Sequence, residues 1–278
     1  MMDPARLRRA PRGLARRGRA LADARELRRF RTGLSEDRSG PALLLSPHWD
    51  DAVLNCWSLL TGERDVLVIN VFAAVPPPGP ARRWDQICGG SEASSHGQMR
   101  VAEDARALAL TGRTPVNVPL LDAEYRAPAG PPTLSDLDAG IAEAAPSSVS
   151  AVYAPATLGM NVDHQLVRRY ARALHGEGIP VHLYADLPYC VVHGWPYWVN
   201  GGDPDPHRDV DAFWDTFLVD VPELSNLRAA SVAHLEPAQA TGKLAAMRAY
   251  ETQFSALDGG AGILSNPAIH GFEVFWAL

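Results

Sequence analysis

Two short polar segments of the chain combine residue types that can bind a metal ion and activate water. The first contains His48, Asp50 and Asp51, and the second contains His164. His48 and Asp51 can reach one point from a single turn, and His164 can join them from the second segment. Two imidazoles and one carboxylate leave a fourth tetrahedral position open, which is the arrangement of a catalytic zinc site. Asp50 would then be a spare carboxylate suited to take a proton from water.

Ordinary structural roles also account for these residue types. Asp50 or Asp51 could cap the helix that follows them, and His48 could be a hydrogen-bonded loop histidine. A short motif of this kind has a high false-positive rate, so the spacing leaves both interpretations open.

Alternating strands and helices are predicted on either side of these segments. Apolar runs predict strands and amphipathic spacing predicts helices. The predicted strands cover 41–46, 65–73, 115–120, 148–156 and 179–188, and the predicted helices cover 51–60, 96–112, 134–145 and 163–175. This alternation is typical of an α/β protein, with a Rossmann-like open, mostly parallel sheet and helices on both faces. The last third is less regular, and we expect a strand at 217–222, a helix at 242–254 and a final strand at 272–278.

Both polar segments directly follow predicted strands. In open α/β sheets, ligands bind outside the carboxyl ends of the strands, so the sheet can bring the two segments to one site. No Gly-x-Gly-x-x-Gly loop follows the first strand, which counts against a dinucleotide-binding domain.

Several motifs resemble those of PIG-L/LmbE-like deacetylases. The segment Pro47-His48-Trp49-Asp50-Asp51 resembles their P-H-P-D-D signature, and Asp163-His164 resembles the end of their H-x-D-H motif. Further similar segments follow in the family's order: MRVAEDARALALTG at 99–112, YADLPY at 184–189, KLAAMRAYETQF at 243–254 and HGFEVFWAL at 270–278. The similarity runs from about Ala42 to the C-terminus.

This resemblance implies a metal-dependent N-deacetylase that acts on N-acetylated amino sugars or their conjugates. His48, Asp51 and His164 would be the zinc ligands, although iron(II) also accepts two histidines and a carboxylate. Asp50 would be the general base that activates zinc-bound water. Asp163 could orient His164 as a second-shell partner, or it could cap a helix.

One departure from the family pattern concerns catalysis. Asn161 stands where the family usually has a histidine that assists the transition state. Asn161 can donate a hydrogen bond to an oxyanion, so we assign it a catalytic role, but it cannot carry a proton. Its alternative role is a helix N-cap. His96 or His193, which could overhang the site, could replace the missing acid.

Aromatic residues in predicted loops are candidates for substrate contact. They could stack on a sugar ring or a larger aglycone, or they could pack against the core. These residues are Trp84, Trp195, Tyr197 and Trp198.

The composition limits the classes of protein to which the chain can belong. The 278 residues carry a formal net charge of −6, which gives no reason to expect a nucleic-acid partner. No apolar run approaches the roughly 20 residues that a transmembrane helix needs. The three cysteines are far apart in the sequence, and no apolar segment of a signal peptide precedes the domain, so we expect a cytoplasmic protein.

The start of the chain differs in charge from the rest. Residues 1–33 contain eleven arginines and three acidic residues. We therefore divide the chain into an Arg-rich extension at 1–38, helical or partly disordered, and a deacetylase-like domain at 39–278.

Taken together, these observations predict a zinc-dependent hydrolase that removes an N-acyl group, N-acetyl above all, from an amino sugar or sugar-bearing small molecule of secondary metabolism. One alternative is a zinc amidase acting on another amide, such as that of a thiol conjugate. A second alternative is a divergent member that binds a sugar or metabolite without hydrolysis. Asp50 argues against a mere binding protein, whereas Asn161 favours it.

Overall fold

The core of the fold is one mixed, mostly parallel sheet, seen in a computed structural model that describes residues 27, 30–126, 130–224, 226–260 and 262–278. Within these residues the sheet has seven strands in the order β3-β2-β1-β4-β5-β7-β6. The strands are β1 (Ala42–Ser46), β2 (Val66–Asn70), β3 (Val116–Asn117), β4 (Ala151–Pro155), β5 (Val181–Tyr184), β6 (Ser231–His234) and β7 (Phe272–Ala277). This architecture confirms the predicted α/β class.

The strand β1 lies at the point where the chain changes direction through the sheet. It pairs in parallel with β2 on one side and with β4 on the other. All five residues of β1 are buried, as expected of an apolar strand covered on both faces. Because β2 and β3 extend to one side and β4 and β5 to the other, a crevice forms at the carboxyl ends of β1 and β4.

Helices connect the parallel strands and continue after them. In chain order they are α1 (Asp51–Asn55), α2 (Trp57–Thr61), α3 (Arg83–Ile87), α4 (Ala93–Ala109), α5 (Leu134–Ala144), α6 (Val162–Gly176), α7 (Tyr197–Asn200), α8 (Val210–Leu218), α9 (Pro237–Arg248), α10 (Phe254–Leu257) and α11 (Pro267–His270). Short 3-10 turns lie at Tyr189–Val191 and Leu227–Ala229.

The helix predicted at 51–60 is divided into α1 and α2. The break lies at Cys56, whose backbone has φ −134°. The carboxylate of Glu273 on β7 accepts hydrogen bonds from Trp57 N at 2.6 Å and from Ser58 N at 2.9 Å. A new helix therefore begins at Trp57, and the group that caps it comes from the other end of the chain.

The strand predicted at 217–222 is wrong. Residues 217 and 218 belong instead to the end of α8. The start of this helix is capped by Asp209, whose side chain accepts a hydrogen bond from Ala212 N at 2.9 Å. Trp214 and Leu218, one turn apart, are buried on the inner side of this helix. The helical spacing of large apolar side chains therefore determines the secondary structure of this segment, although its β-branched residues favour a strand.

Most of the Arg-rich extension lies outside the described residues. Near its end, Leu27 is partly buried and Phe30 and Leu34 are buried in the core. The ring of Phe30 packs edge-on against Tyr170 of α6, with 5.8 Å between centroids. Within the described ranges, no helix is both long and apolar enough to cross a bilayer.

Candidate active site

A cleft of about 320 Å³ opens at the carboxyl ends of β1 and β4. Both polar segments singled out in the sequence meet there. The cleft is lined by all of the predicted site residues, namely His48, Asp50, Asp51, Asn161 and His164. The position agrees with the rule that open α/β sheets bind ligands where the strand order reverses.

Three donor atoms converge in this cleft. Nδ1 of His48 and Nε2 of His164 each lie 3.3 Å from Oδ2 of Asp51, and all three side chains are buried. A tetrahedral zinc ion with bonds of about 2.0–2.1 Å has ligand atoms roughly 3.3–3.4 Å apart. The two distances to Asp51 and the chemistry of this donor set therefore fit zinc, and all three donor atoms lie within 4.8 Å of one another.

The turn after β1 holds His48 and Asp51 in this arrangement. Oδ2 of Asp51 accepts a hydrogen bond from His48 N at 2.9 Å. The hydroxyl of Ser46, the last residue of β1, accepts from Ala52 N at 3.0 Å. Asp50 occupies the N-cap position of α1 but its side chain caps nothing. Its carboxylate faces the cleft instead, so the capping alternative does not account for this residue.

Helix α6 positions His164 from the other side. The side chain of Asn161 caps this helix by accepting from Asp163 N at 2.9 Å, which confirms the N-cap alternative for Asn161. His164 then lies in the first turn. Its Nδ1 pairs with Oδ2 of Asp186 at 3.0 Å, and Oδ1 of Asp186 accepts from Leu158 N at 2.8 Å. A carboxylate on the outer nitrogen fixes the orientation of a metal-binding imidazole.

Asp163 contacts the other histidine. The expectation that it orients His164 is wrong, because Oδ2 of Asp163 lies 3.2 Å from Nε2 of His48. Asp163 also accepts from Ala123 N at 2.9 Å and from the guanidinium of Arg126. Oδ2 of Asp122 is 3.3 Å from the same nitrogen of His48. The two acidic groups thus orient His48 as Asp186 orients His164.

Sequence reasoning missed Asp122 and Asp186 as site residues. Both follow strands of the parallel sheet, Asp186 directly after β5 and Asp122 a few residues after β3. The carboxyl ends of these strands face the cleft, so acidic residues at each predicted strand end were the available signal.

The carboxylates give both imidazoles a strong preference for positive charge. Burial alone would lower the pKa of His164, but Asp51 and Asp186 raise it to about 9. Burial alone would also lower the pKa of His48, but Asp122, Asp163 and Asp51 raise it well above its ordinary value. At Asp50, burial and then the charge of Asp51 raise the pKa. The cluster therefore attracts cations, and Asp50 is a stronger base than an exposed aspartate.

The candidate replacements for the missing histidine lie elsewhere. His96 is buried on α4, with Nε2 3.6 Å from Oδ1 of Asp85, and it does not line the cleft. His193 is exposed, and its ring packs against Phe213 with 4.6 Å between centroids. Neither residue can act on a ligand bound in the cleft.

Only one of the four loop aromatics lines the cleft. Trp84 does so, and its Nε1 donates to Oε1 of Gln253 at 3.3 Å. Trp195 and Trp198 pack edge-on against Trp214, with 6.1 and 5.9 Å between centroids, and Tyr197 lies under Arg228. The core-packing alternative holds for Trp195 and Trp198.

Two further residues of the cleft went unnoticed as site residues in the sequence. Arg100 of α4 lies 4.7 Å above the ring of Trp49, the residue that replaces the usual proline. Tyr189 packs its ring edge-on against His164, with 5.5 Å between centroids. Burial raises the pKa of Tyr189, so its hydroxyl keeps its proton at neutral pH.

Solved structures of similar fold are deacetylases. A deacetylase triple mutant involved in the teicoplanin biosynthetic pathway is 26% identical, with a TM-score of 0.61, covering 86% of this chain and 97% of that one. The A40926 pseudoaglycone deacetylase is 25% identical, with a TM-score of 0.60 and coverage of 87% and 98%.

A third neighbour is similar in fold alone. The zinc-inhibited form of a teicoplanin deacetylase is 23% identical, with a TM-score of 0.62 and coverage of 86% and 97%. These neighbours have the LmbE/PIG-L-like deacetylase fold. No protein-family model matches the chain, and no curated protein matches its sequence.

Proposed function

We propose that this chain is a zinc-dependent N-deacetylase that hydrolyses the N-acetyl amide of an amino sugar or sugar-bearing small molecule. The observation that carries the proposal is the convergence of His48 Nδ1 and His164 Nε2 on Asp51 Oδ2, at 3.3 Å each, with Asp50 in the same cleft. The deacetylases of similar fold support the reaction type.

His48, Asp51 and His164 would hold the ion. When bound, zinc would polarise the amide carbonyl and lower the pKa of a water molecule in the open position. Iron(II) suits the same donors, so the loaded metal is a matter for measurement.

Asp50 is the proton acceptor in this proposal. It takes a proton from the attacking water as the water oxygen bonds to the carbonyl carbon. The C–N bond then breaks and the leaving nitrogen takes up the proton that Asp50 holds, which restores the Asp50 carboxylate and gives acetate and the free amine as products. Because burial and Asp51 raise the pKa of Asp50, it is better matched to this task than an ordinary aspartate.

The lining of the cleft favours a sugar that carries an apolar group. Asp122, Glu124 and Arg100 provide polar contacts suited to sugar hydroxyls. At the rim, Met160 and Val162 are 79% and 51% exposed, so their apolar side chains are accessible to an apolar part of a ligand. An amino sugar linked to an aromatic or aliphatic aglycone fits both parts. The teicoplanin and A40926 pseudoaglycone deacetylases make N-acetylated glycoconjugates of that kind the first substrates to test.

An amine-release assay tests this function. The protein is stripped with a chelator, reloaded with zinc or iron(II), and offered N-acetylglucosamine derivatives with and without an aromatic aglycone. We expect release of free amine and acetate in equal amounts by the reloaded protein only, with the larger kcat/KM for the aromatic derivative. Metal-loaded protein that binds these sugars without releasing amine would instead support the non-hydrolytic alternative.

A further inference from the structure

The side chain of Asn161 already has partners within the chain. Its Oδ1 caps α6 by accepting from Asp163 N at 2.9 Å, with His164 N at 3.5 Å. Its remaining polar group is the amide nitrogen, which can only donate. Burial raises the pKa of the Tyr189 phenol, and the amide of Asn161 beside its hydroxyl offsets part of that rise. An amide N–H donor beside the phenol oxygen leaves the O–H of Tyr189 to donate to another group.

Tyr189 brings that donor to the metal-binding side chains. Its ring lies at 86° to the ring of His164 and lines the cleft together with Asp50 and Asp51. Among the described residues that line the cleft, it is the one phenol. Its segment is fixed from below, because Asp186 accepts from Leu158 N and Leu187 N donates to Asn55 Oδ1 at 2.6 Å.

Gly159 makes room for this ring. A Cβ atom at position 159 would lie 2.9 Å from Cβ and Cγ of Tyr189 and 3.0 Å from its Cδ1. Atoms so close to the Tyr189 backbone cannot move aside by a simple rotation of the ring. The ring of Tyr189 therefore fills the space that a side chain at position 159 would take, directly before Asn161.

We propose that Tyr189 donates a hydrogen bond from its hydroxyl to the amide carbonyl oxygen of the substrate as that oxygen becomes the tetrahedral oxyanion. Asn161 is then a positioning residue whose amide lies beside the phenol oxygen, rather than the direct donor expected from the sequence. This inference rests on the proposed deacetylase function. Tyr189 transfers no proton: it stabilises the negative charge on the oxygen while water adds to the carbonyl carbon and Asp50 accepts the water's proton. A donor fixed before the reaction is effective because no reorganisation is needed in the transition state.

The variant Tyr189→Phe removes the hydroxyl and keeps the ring against His164. Loss of one oxyanion donor costs about 10²–10³-fold in kcat. We expect a loss of this size with KM changed less than about threefold, since the bond forms only in the transition state. Zinc content, measured by mass spectrometry, stays at the wild-type value because no ligand or outer carboxylate is altered.

Affinity for a tetrahedral analogue gives a second readout. A methylphosphonamidate of the accepted amino sugar carries a charged oxygen at the oxyanion position, and its binding is measured by calorimetry. We expect Tyr189→Phe to weaken this binding by the same factor as kcat and to leave the affinity for the deacetylated product unchanged. A merely structural role for Tyr189 would weaken both ligands alike.

Gly159→Ala and Tyr153→Phe serve as matched variants. Gly159→Ala displaces the ring while keeping the hydroxyl, so kcat and analogue affinity should fall with zinc retained. Tyr153→Phe removes a hydroxyl that bonds Arg64 at 2.9 Å outside the cleft, and it should leave kcat unchanged. Gly159→Ala also provides the test if Tyr189→Phe does not fold.

If the wild type is active and Tyr189→Phe has the same kcat and analogue affinity, the role of Tyr189 is overturned. The deacetylase function would remain intact. Should Tyr189→Phe fail to fold, the same result in Gly159→Ala would overturn it. If metal-loaded wild type releases no amine from any N-acetyl sugar, the proposed function and this inference both fail.

Discussion

Two groups of buried polar residues meet at the turn that follows β1, and they differ in how their charges are balanced. The cleft cluster consists of His48 and His164 with the carboxylates of Asp50, Asp51, Asp122, Asp163 and Asp186. The supporting layer lies between α4, α9 and β7, and it consists of Lys243, Glu273, Asp104 and Tyr250.

Each charged group of the supporting layer has partners within the chain. Nζ of Lys243 bonds Oε1 of Glu273 at 2.8 Å, and both side chains are fully buried. The same carboxylate caps α2 through Trp57 N and Ser58 N. This ion pair is neutral overall and holds α2 against β7.

The negative charge of Asp104 is reduced by a different route. Burial raises its pKa to about 7, and its oxygens bond Asn70 Nδ2 at 2.7 Å and the Tyr250 hydroxyl at 2.8 Å. The Tyr250 hydroxyl in turn lies 3.0 Å from the carbonyl oxygen of Trp49. A protonated Asp104 can donate to Tyr250, which then donates to Trp49. The layer thus supports the turn that carries Asp50.

The cleft cluster, in contrast, contains more carboxylates than strong cations. Arg126 bonds Asp163, and the two histidines respond to the remaining negative charge with raised pKa values. A divalent cation would relieve that excess. This difference supports the proposal that the cleft cluster binds an ion and a substrate, whereas the supporting layer contributes to stability.

The largest effect should come from Asp50, whose side chain caps no helix. Asp50→Asn removes the proposed proton acceptor and leaves the proposed metal ligands in place. We expect kcat to fall about 10²–10⁴-fold, with zinc content and thermal stability close to wild type. Steady-state amine release and metal analysis on the same samples measure this. A kcat within tenfold of wild type would assign the base to another residue.

In the supporting layer, the largest effect should be on stability. Lys243→Met leaves the charge of Glu273 buried without its partner, which costs about 3–5 kcal/mol of unfolding free energy. Denaturant unfolding of metal-free protein measures the loss. The double variant Lys243→Met/Glu273→Gln should lose less than the sum of the two single variants, because they share one interaction. Additive losses would show that the pair is not coupled.

Removing an outer carboxylate should separate metal affinity from stability. Asp186→Asn keeps the shape of the side chain but weakens its hold on Nδ1 of His164. We expect zinc affinity to fall about 10–100-fold, as is usual for such partners. Competition with a chelator measures the affinity. An unchanged affinity would mean that His164 needs no carboxylate to orient it.

The most gradual effect should be the pH dependence of stability due to Asp104. Its pKa is about 7 when folded and near 3.8 when unfolded, so the folded state retains the proton longer. Its contribution to stability is therefore complete below pH 3.8 and is lost as the pH rises through 7. The slope is at most about 1.4 kcal/mol per pH unit. Asp104→Asn should remove this slope in unfolding experiments on metal-free protein between pH 4 and 8. The same slope in both proteins would place the titration elsewhere.

The sequence carried the information for the parallel part of the sheet and for the first polar segment. Residues 41–46 are apolar throughout and His48 to Asp51 follow at once, so strand and candidate ligands could be predicted together. The residues that contact the two histidines could not be predicted from the sequence. Asp186 reaches His164 from β5, and Asp163 turns toward His48 because Arg126 and Ala123 N hold it there. These contacts depend on the distances between strand ends, which local patterns do not encode.

Other differences between the predicted and the observed elements also have physical reasons. The break between α1 and α2 depends on Glu273, far away in the sequence. Strand β6 was not predicted, because it is a largely exposed edge strand without an apolar run. The role proposed for Tyr189 depends on the space beside Gly159, which only the folded chain shows.

Metal stoichiometry of the purified protein tests the central claim most directly. Wild type, His48→Ala, His164→Ala and Asp50→Asn are stripped, offered zinc, freed of excess and analysed by mass spectrometry. The account predicts about one zinc per chain in wild type and in Asp50→Asn, and loss of the ion in both histidine variants. No bound metal in wild type, or metal retained by folded His48→Ala and His164→Ala, would contradict it.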